Sequence, residues 1–427
     1  MALLRRLHPR GRIAVVYDAV VVGAGAAGMM AAGVAAQRGL RVALIDHAAR
    51  PGEKIRISGG GRCNFTNIGA APAQFLSRNP DFCRSALRAY TPRDFIELIE
   101  RHGVRWHEKH RGQLFCDDSS ESIIEVLRRE CAAGGVHWRL SCVVRAVSCE
   151  DGVYALDTAQ GRMRARQLVL ATGGMAVPQM GATDFSLRVA RQFGLRVVEP
   201  RPALVPLVFD AAQWQPFAAL SGVALEVGMR VAPAGAEPAP AAGRRRTRRG
   251  APGFIEDLLF THRGLSGPAV LQISSYWRPG EAIAVDLSPH EPMADHLLRQ
   301  KAGNRQRLTT VLAQAWPRRL AESWLAQADG LGDRRLADVS DRDLRALAGR
   351  IHDWRLWPTG TAGYKKAEAM SGGVDTDELD QRSMQARRRP GLYVVGEAVD
   401  VTGWLGGYNF QWAWASGMAC GRALAAV

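Results

Sequence analysis

Three glycines in Gly23-Ala24-Gly25-Ala26-Ala27-Gly28 have the spacing that binds the diphosphate of a dinucleotide. Each has its own task. Gly23 lets a turn close, Gly25 lets backbone approach a phosphate, and Gly28 lets a helix pack on the preceding strand. Ala26 and Ala27 add backbone N–H groups at the helix start, where the helix dipole favours negative charge. Asp46 follows at about the twenty-residue spacing where an acid binds a ribose hydroxyl pair. A chain with 45 glycines makes such strings by chance, so the neighbouring elements must decide. They agree: a β-branched run over 17–22 precedes the glycines, alanine-rich helix formers follow over 29–38, and a second strand over 41–45 ends at Asp46.

Further residues with chemical potential gather in three places. The first is the stretch GEKIRISGGGRCNFTN, 52–67, where three consecutive glycines forbid regular structure and Lys54 and Arg62 carry positive charge. The second is LVLATGG, 168–174, an apolar strand that ends on Thr172 and Gly173 after a meander over 153–167. The third is GLYVVGEAVD, 391–400, a strand ending in Gly396-Glu397, whose carboxylate can accept hydrogen bonds from hydroxyl groups. It leads into GWLGGYNFQ, where Gly407, Asn409 and Phe410 open a closing helix predicted over 412–424. Free N–H groups at that helix start suit negative charge.

The 52–67 and 391–417 strings resemble a bacterial flavoprotein family that includes the BaiN/YhiN-like proteins and aminoacetone-oxidase-like enzymes. The resemblance implies a glycine loop running along FAD, with Lys54, Gly61 and Asn64 as contacts, and Val144 near the adenine end. It also implies hydride transfer at the flavin, by reduction of an activated C=C bond or oxidation of a small organic molecule. Asp46 stands where the family often has glutamate, a conservative change. The chain returns to the nucleotide sheet at Thr172-Gly173 and at Gly396-Glu397, as an extended two-part cofactor requires, and no second Gly-x-Gly-x-x-Gly exists. NAD(P)H is therefore expected to visit the flavin rather than reside.

Composition bounds the rest. The 427 residues are 47% hydrophobic and 23% charged, ordinary globular material. Basic residues over 1–12 followed by an apolar run imitate a secretory signal, yet the glycine fingerprint lies inside that run, so a short leader and a cytoplasmic protein with no membrane span are expected. Seven cysteines without a Cys-x-x-Cys pair point to reduced, packed thiols, and no spacing suggests a metal. The net charge is +15, and all but five of the 56 basic residues are arginine. Arginine-favouring codon usage explains much of that excess. The run Arg244-Arg245-Arg246-Thr247-Arg248-Arg249 reads as the tip of an exposed hairpin loop, without the aromatic interleaving of a single-strand binder.

The expected fold is α/β: a Rossmann-like FAD-binding domain of the two-dinucleotide-domain flavoprotein type (1–195 and 355–427). A β-rich, barrel-like domain is inserted (196–290 with 346–354), carrying a helical cap (291–345). Substrate is expected between the flavin and the insert. An FAD-dependent oxidoreductase acting on a small molecule is the primary reading, with nucleic acid disfavoured. The alternatives are a flavoprotein acting on or bound to RNA through the 244–249 run, and a flavin holder without turnover. Arg62, His262, Tyr364 and Tyr408 are candidates to polarise or protonate substrate; no catalytic residue is assigned, and His262 is favoured as the brace of its own turn. Oligomeric state is left open.

Overall fold

A computed structural model of the chain describes residues 16–232, 252–328 and 330–425. The leader over 1–15 and the arginine run over 244–249 lie outside the described residues. The β-branched residues before Gly23 form the buried strand Val16–Val22. It pairs in parallel with Val42–Ile45 on one side and with Gly161–Leu170 on the other. His137–Arg139 extends the sheet beyond Val42–Ile45, and Leu392–Val394 pairs in parallel with 168–170. The last leg of the expected meander and the apolar strand are one continuous strand, Gly161–Leu170. Its first half pairs antiparallel with Val153–Thr158 and its second half joins the parallel sheet.

Helix Ala26–Gln37 is buried on nearly every side, which explains its alanine-rich, non-amphipathic sequence. A Cβ on Gly417 would come 2.6 Å from the Ala27 carbonyl oxygen, and one on Gly421 would come 2.7 Å from Val34 Cβ. Small residues thus let the closing helix, Tyr408–Ala423, lie directly on the first helix. That closing helix begins four residues before the predicted start. Gly407, at φ +95°, forms its N-cap, and Asn409 pins the entry turn by bonding both polar groups of the Gly403 backbone.

Short local signals shape two further elements. The Thr91 hydroxyl caps helix Pro92–Arg101 through the Asp94 N–H. Arg111 and Gly112 take φ of 49° and 78° in the turn of the hairpin Trp106–His110/Gln113–Cys116.

The chain divides into two compact units, Met1–Gly174 with Met180–Pro200 and Gly372–Val427, and Met175–Gln179 with Arg201–Ser371. The second holds an antiparallel seven-stranded sheet whose edge strands are Trp354–Leu356 and Gly360–Thr361. Only residues 357–359 separate those edges, about 10 Å of extended chain, so the sheet curls back on itself as a barrel does. Buried Phe217 and Phe260 pack ring against ring with half-buried Trp354.

Helices Met293–Lys301, Leu308–Leu312, Arg318–Leu325 and Asp341–His352 follow. Trp316 and Trp324 pack there edge to face, whereas Trp357 is 53% exposed. Strands Ala224–Ala232 and Phe254–Thr261 pair as the arms of the expected hairpin. The tight turn after Thr261 is held by the Thr261 hydroxyl, which donates to the Gly264 carbonyl. His262 is exposed and makes no side-chain hydrogen bond among the described residues, so threonine, not histidine, braces this turn.

Candidate functional site

All four parallel strands that carry chemistry end at one sheet edge: Gly23 after Val16–Val22, Asp46 after Val42–Ile45, Thr172-Gly173 after Gly161–Leu170, and Gly396-Glu397 after Leu392–Val394. The carboxyl edge of such a sheet is where nucleotides bind. The three glycines meet different surroundings. Gly23 takes φ +112° with no room for a Cβ beside Ala171, and a Cβ on Gly28 would sit 1.9 Å from the Gly23 carbonyl oxygen. Gly25 instead faces open space, with no atom within 4 Å of a built Cβ. The N–H groups of Gly25, Ala26, Ala27 and Gly28 have no partner among the described residues. No acidic side chain stands in that first turn. Four free donors over an open cradle suit an anion.

Asp46 is fixed at the next strand end. One carboxylate oxygen accepts the Ala24 N–H at 2.6 Å and the other accepts the Ala48 N–H at 2.8 Å. Cys142 donates its N–H to the Asp46 carbonyl, which brings the segment leading to Val144 beside the acid. Lys54, on the short helix Glu53–Ile57, reaches across 343 positions of sequence to Glu397, Nζ to Oε2 at 2.6 Å. The Gly174 N–H approaches the same oxygen at 3.4 Å. Lys54, which the family resemblance assigned to cofactor, and Glu397, read from its strand end, thus form one ion pair.

Gly59, Gly60 and Gly61 all take positive φ, and the last two have open space where a side chain would stand. Asn64, at the head of strand Asn64–Asn67, bonds the Gln113 amide at 3.2 Å. Gly407 packs against that strand, where a Cβ would come 2.3 Å from the Thr66 carbonyl carbon. Phe410 stacks on Trp414 with ring centroids 5.6 Å apart. The Thr172 hydroxyl is hydrogen-bonded to that of Ser186.

Two expected contacts have their polar groups committed within the protein. Gly396 is buried, its N–H donates to Ser416 Oγ and its carbonyl accepts from Trp412 Nε1. Both ends of the Asn409 amide are bound to Gly403. These residues shape the edge through the backbone. Sequence reasoning missed Ser416, Trp412 and Gln411, which hold the closing helix to the edge; their spacing on an apolar helix resembles ordinary core.

Behind the edge, Asp400 is 4% exposed and accepts the Arg78 N–H at 3.0 Å. Burial, reinforced by the nearby Asp375 carboxylate, pushes its pKa above the ordinary value. A carboxyl whose folded pKa is raised contributes stability below its unfolded pKa and loses it as pH rises through the folded one. Asp400→Asn is therefore expected to raise the thermal midpoint at neutral pH. The gain should vanish on acidification below the carboxylate range, as followed by fluorimetry across pH.

Six of the seven free cysteines are buried. Burial pushes the Cys83 thiol up to about 11 and those of Cys116 and Cys131 to about 12, so these behave as small apolar side chains. His102 and His107 each pair with a carboxylate, Glu130 and Asp117, at 2.7 Å. No helix among the described residues is long and apolar enough to cross a membrane.

The donors, the open glycine faces and the fixed Asp46 carboxylate together fit FAD, with the Lys54–Glu397 ion pair at the same sheet edge. Residues 17–423 match the family described as HI0933-like protein Rossmann domain. The chain is 46% identical over 412 residues to the Ribosomal RNA dihydrouridine synthase of Escherichia coli, covering 96% of this chain and 98% of that protein. It is 41% identical over 406 residues to the protein of the same name from Haemophilus influenzae, covering 94% and 96%. The 3-dehydro-bile acid delta(4,6)-reductase of Clostridium scindens is 28% identical over 424 residues, covering 95% and 98%. A glycine-lined dinucleotide edge and a family match over nearly the whole chain lead to one conclusion: the protein belongs to the HI0933-like family and is an FAD-dependent oxidoreductase.

Proposed function

We propose that this protein reduces the C5=C6 bond of uridine in ribosomal RNA. The observation that carries the reading is 46% identity, over nearly the full length of both chains, to a protein named for that reaction. The net charge of +15 suits a polyanionic substrate. This reverses the sequence-based preference for a small molecule over nucleic acid, because charge alone did not separate codon usage from substrate attraction.

The reaction is a conjugate reduction. The C4 carbonyl of uracil draws electron density from C6, so C6 takes a hydride and C5 a proton, and a reduced nicotinamide supplies the electron pair. FAD, when bound, relays that pair as hydride through N5. The chain's own residues bind and orient. The N–H groups of residues 25–28 would hold the diphosphate, Asp46 would take the ribose hydroxyls, and Glu397, oriented by Lys54, would receive the ribityl chain. The start of the closing helix at Tyr408–Ala423 offers its N–H groups to the negative edge of the ring.

The test is anaerobic incubation of FAD-loaded protein with NADH or NADPH and in-vitro-transcribed ribosomal RNA, followed by nuclease digestion and mass spectrometry. Dihydrouridine formation is expected. Untouched uridine, with turnover instead on a free enone, would move the protein to the small-molecule class.

A further inference from the structure

The hairpin Trp106–His110/Gln113–Cys116 is joined through Gln113–Cys116 to strand Asn64–Asn67, which leads out of the three-glycine loop. Its turn is anchored at several points. Asn67 Nδ2 donates to the carbonyls of Arg111 at 3.0 Å and Gly406 at 3.2 Å, and Gly406 directly precedes the N-cap of the closing helix. The Ile68 N–H bonds the Gly112 carbonyl, and the Glu108 carboxylate accepts the Gly112 N–H at 2.9 Å. The hairpin is therefore tied to two segments of the cofactor edge.

Lys109 stands at the irregularity between Glu108 and His110. Its ammonium lies 5.4 Å from the centroid of the Phe115 ring, and the edge of that ring would meet a Cβ on Gly59 at 2.9 Å. Arg62, the residue after the glycines, is exposed, and its carbonyl accepts the Cys116 N–H at 2.9 Å. Arg84, Arg105 and Arg188, elsewhere on this unit, each pair with a carboxylate. Lys109 and Arg62 have no carboxylate partner among the described residues. Uncompensated cations on a rigid rim are suited to phosphates, and phosphate contacts set the register of a nucleic acid without reading its sequence.

We propose that Lys109 and Arg62, on the rim of the glycine loop, grip the phosphodiester backbone of the substrate RNA and hold its target base at the flavin. This rests on the RNA reading above. Lys109 and Arg62 are positioning residues: neither touches the reacting carbons.

The test compares wild type, Lys109→Glu, Lys109→Ala and Lys109→Arg by anisotropy with fluorescein-labelled, in-vitro-transcribed ribosomal RNA over a potassium chloride series. Lys109→Glu is expected to raise Kd about tenfold. Lys109→Ala should flatten the slope of log Kd on log salt by about 0.7–0.9, the release expected from one phosphate contact. Lys109→Arg should restore both. An unaltered flavin absorption spectrum shows that each variant is folded, and the defect should fall on KM for RNA rather than on kcat. Wild-type affinity and salt slope in Lys109→Glu would overturn this inference and leave the reaction standing. Wild-type protein that neither binds nor reduces RNA would overturn both.

Discussion

Gly28→Ala is expected to destabilise the FAD-binding unit by about 3 kcal/mol or more, while Gly25→Ala leaves the apo-protein as stable as wild type and loses FAD. The two glycines sit three residues apart in one motif, yet meet opposite surroundings. A methyl at Gly28 would stand 1.9 Å from the Gly23 carbonyl oxygen and 3.1 Å from Ala171 Cβ, so the helix must lift from the strand. A methyl at Gly25 meets nothing within 4 Å, and φ −85°, ψ −167° suits any residue. It would instead occupy the space that lets the diphosphate approach the N–H groups, with an expected loss of about a hundredfold in FAD affinity, some 2.7 kcal/mol. Thermal midpoints of the apo-proteins and equilibrium dialysis against FAD separate the effects. An unchanged apo midpoint in Gly28→Ala would contradict the packing. FAD retention by Gly25→Ala would remove the diphosphate from this helix.

Gln411→Leu is the second large effect, at about 2–4 kcal/mol. Gln411 is wholly buried on the closing helix. Its Oε1 accepts from the Thr66 hydroxyl at 2.7 Å, and its Nε2 donates to the Tyr90 carbonyl at 2.9 Å. Leucine fills the volume but strands both groups away from water. Adding Thr66→Val removes one stranded group, so the double variant should be more stable than Gln411→Leu alone, by about 1 kcal/mol or more. Chemical denaturation of the four proteins of this cycle gives the coupling. Simple additivity would mean that Gln411 and Thr66 are not coupled. Holoprotein should also lose FAD faster in Gln411→Leu, because Gln411 and Trp414, whose Nε1 donates to the Phe65 carbonyl at 2.8 Å, fasten the closing helix to the strand after the glycine loop.

Much of the cofactor edge was legible because it is local. The turn at Gly23–Gly28 depends on residues a few positions apart, whose backbone preferences are nearly independent of the rest of the chain. The long family resemblance of the 391–417 string identified the closing element, but not its first turn. That helix starts at Tyr408 because Gly407 adopts a left-handed φ against Thr66, a contact made across the fold. Gly396 and Asn409 read equally well as cofactor contacts; only the tertiary positions of Trp412, Ser416 and Gly403 reveal that their polar groups are already bonded.

Residue types and short spacings alone specified a dinucleotide-binding strand–turn–helix, an acid at the next strand end and an FAD-type return of the chain to its first sheet. Pairings between distant segments were decided only by folding: Lys54 with Glu397, Gly417 and Gly421 against the first helix, and the Lys109–Arg62 rim beside the glycine loop. The division has one physical cause. Backbone conformation responds to neighbours within a turn or two, whereas an ion pair, a helix seat or an unpaired cation depends on which remote side chains arrive, and that is set by packing the whole unit.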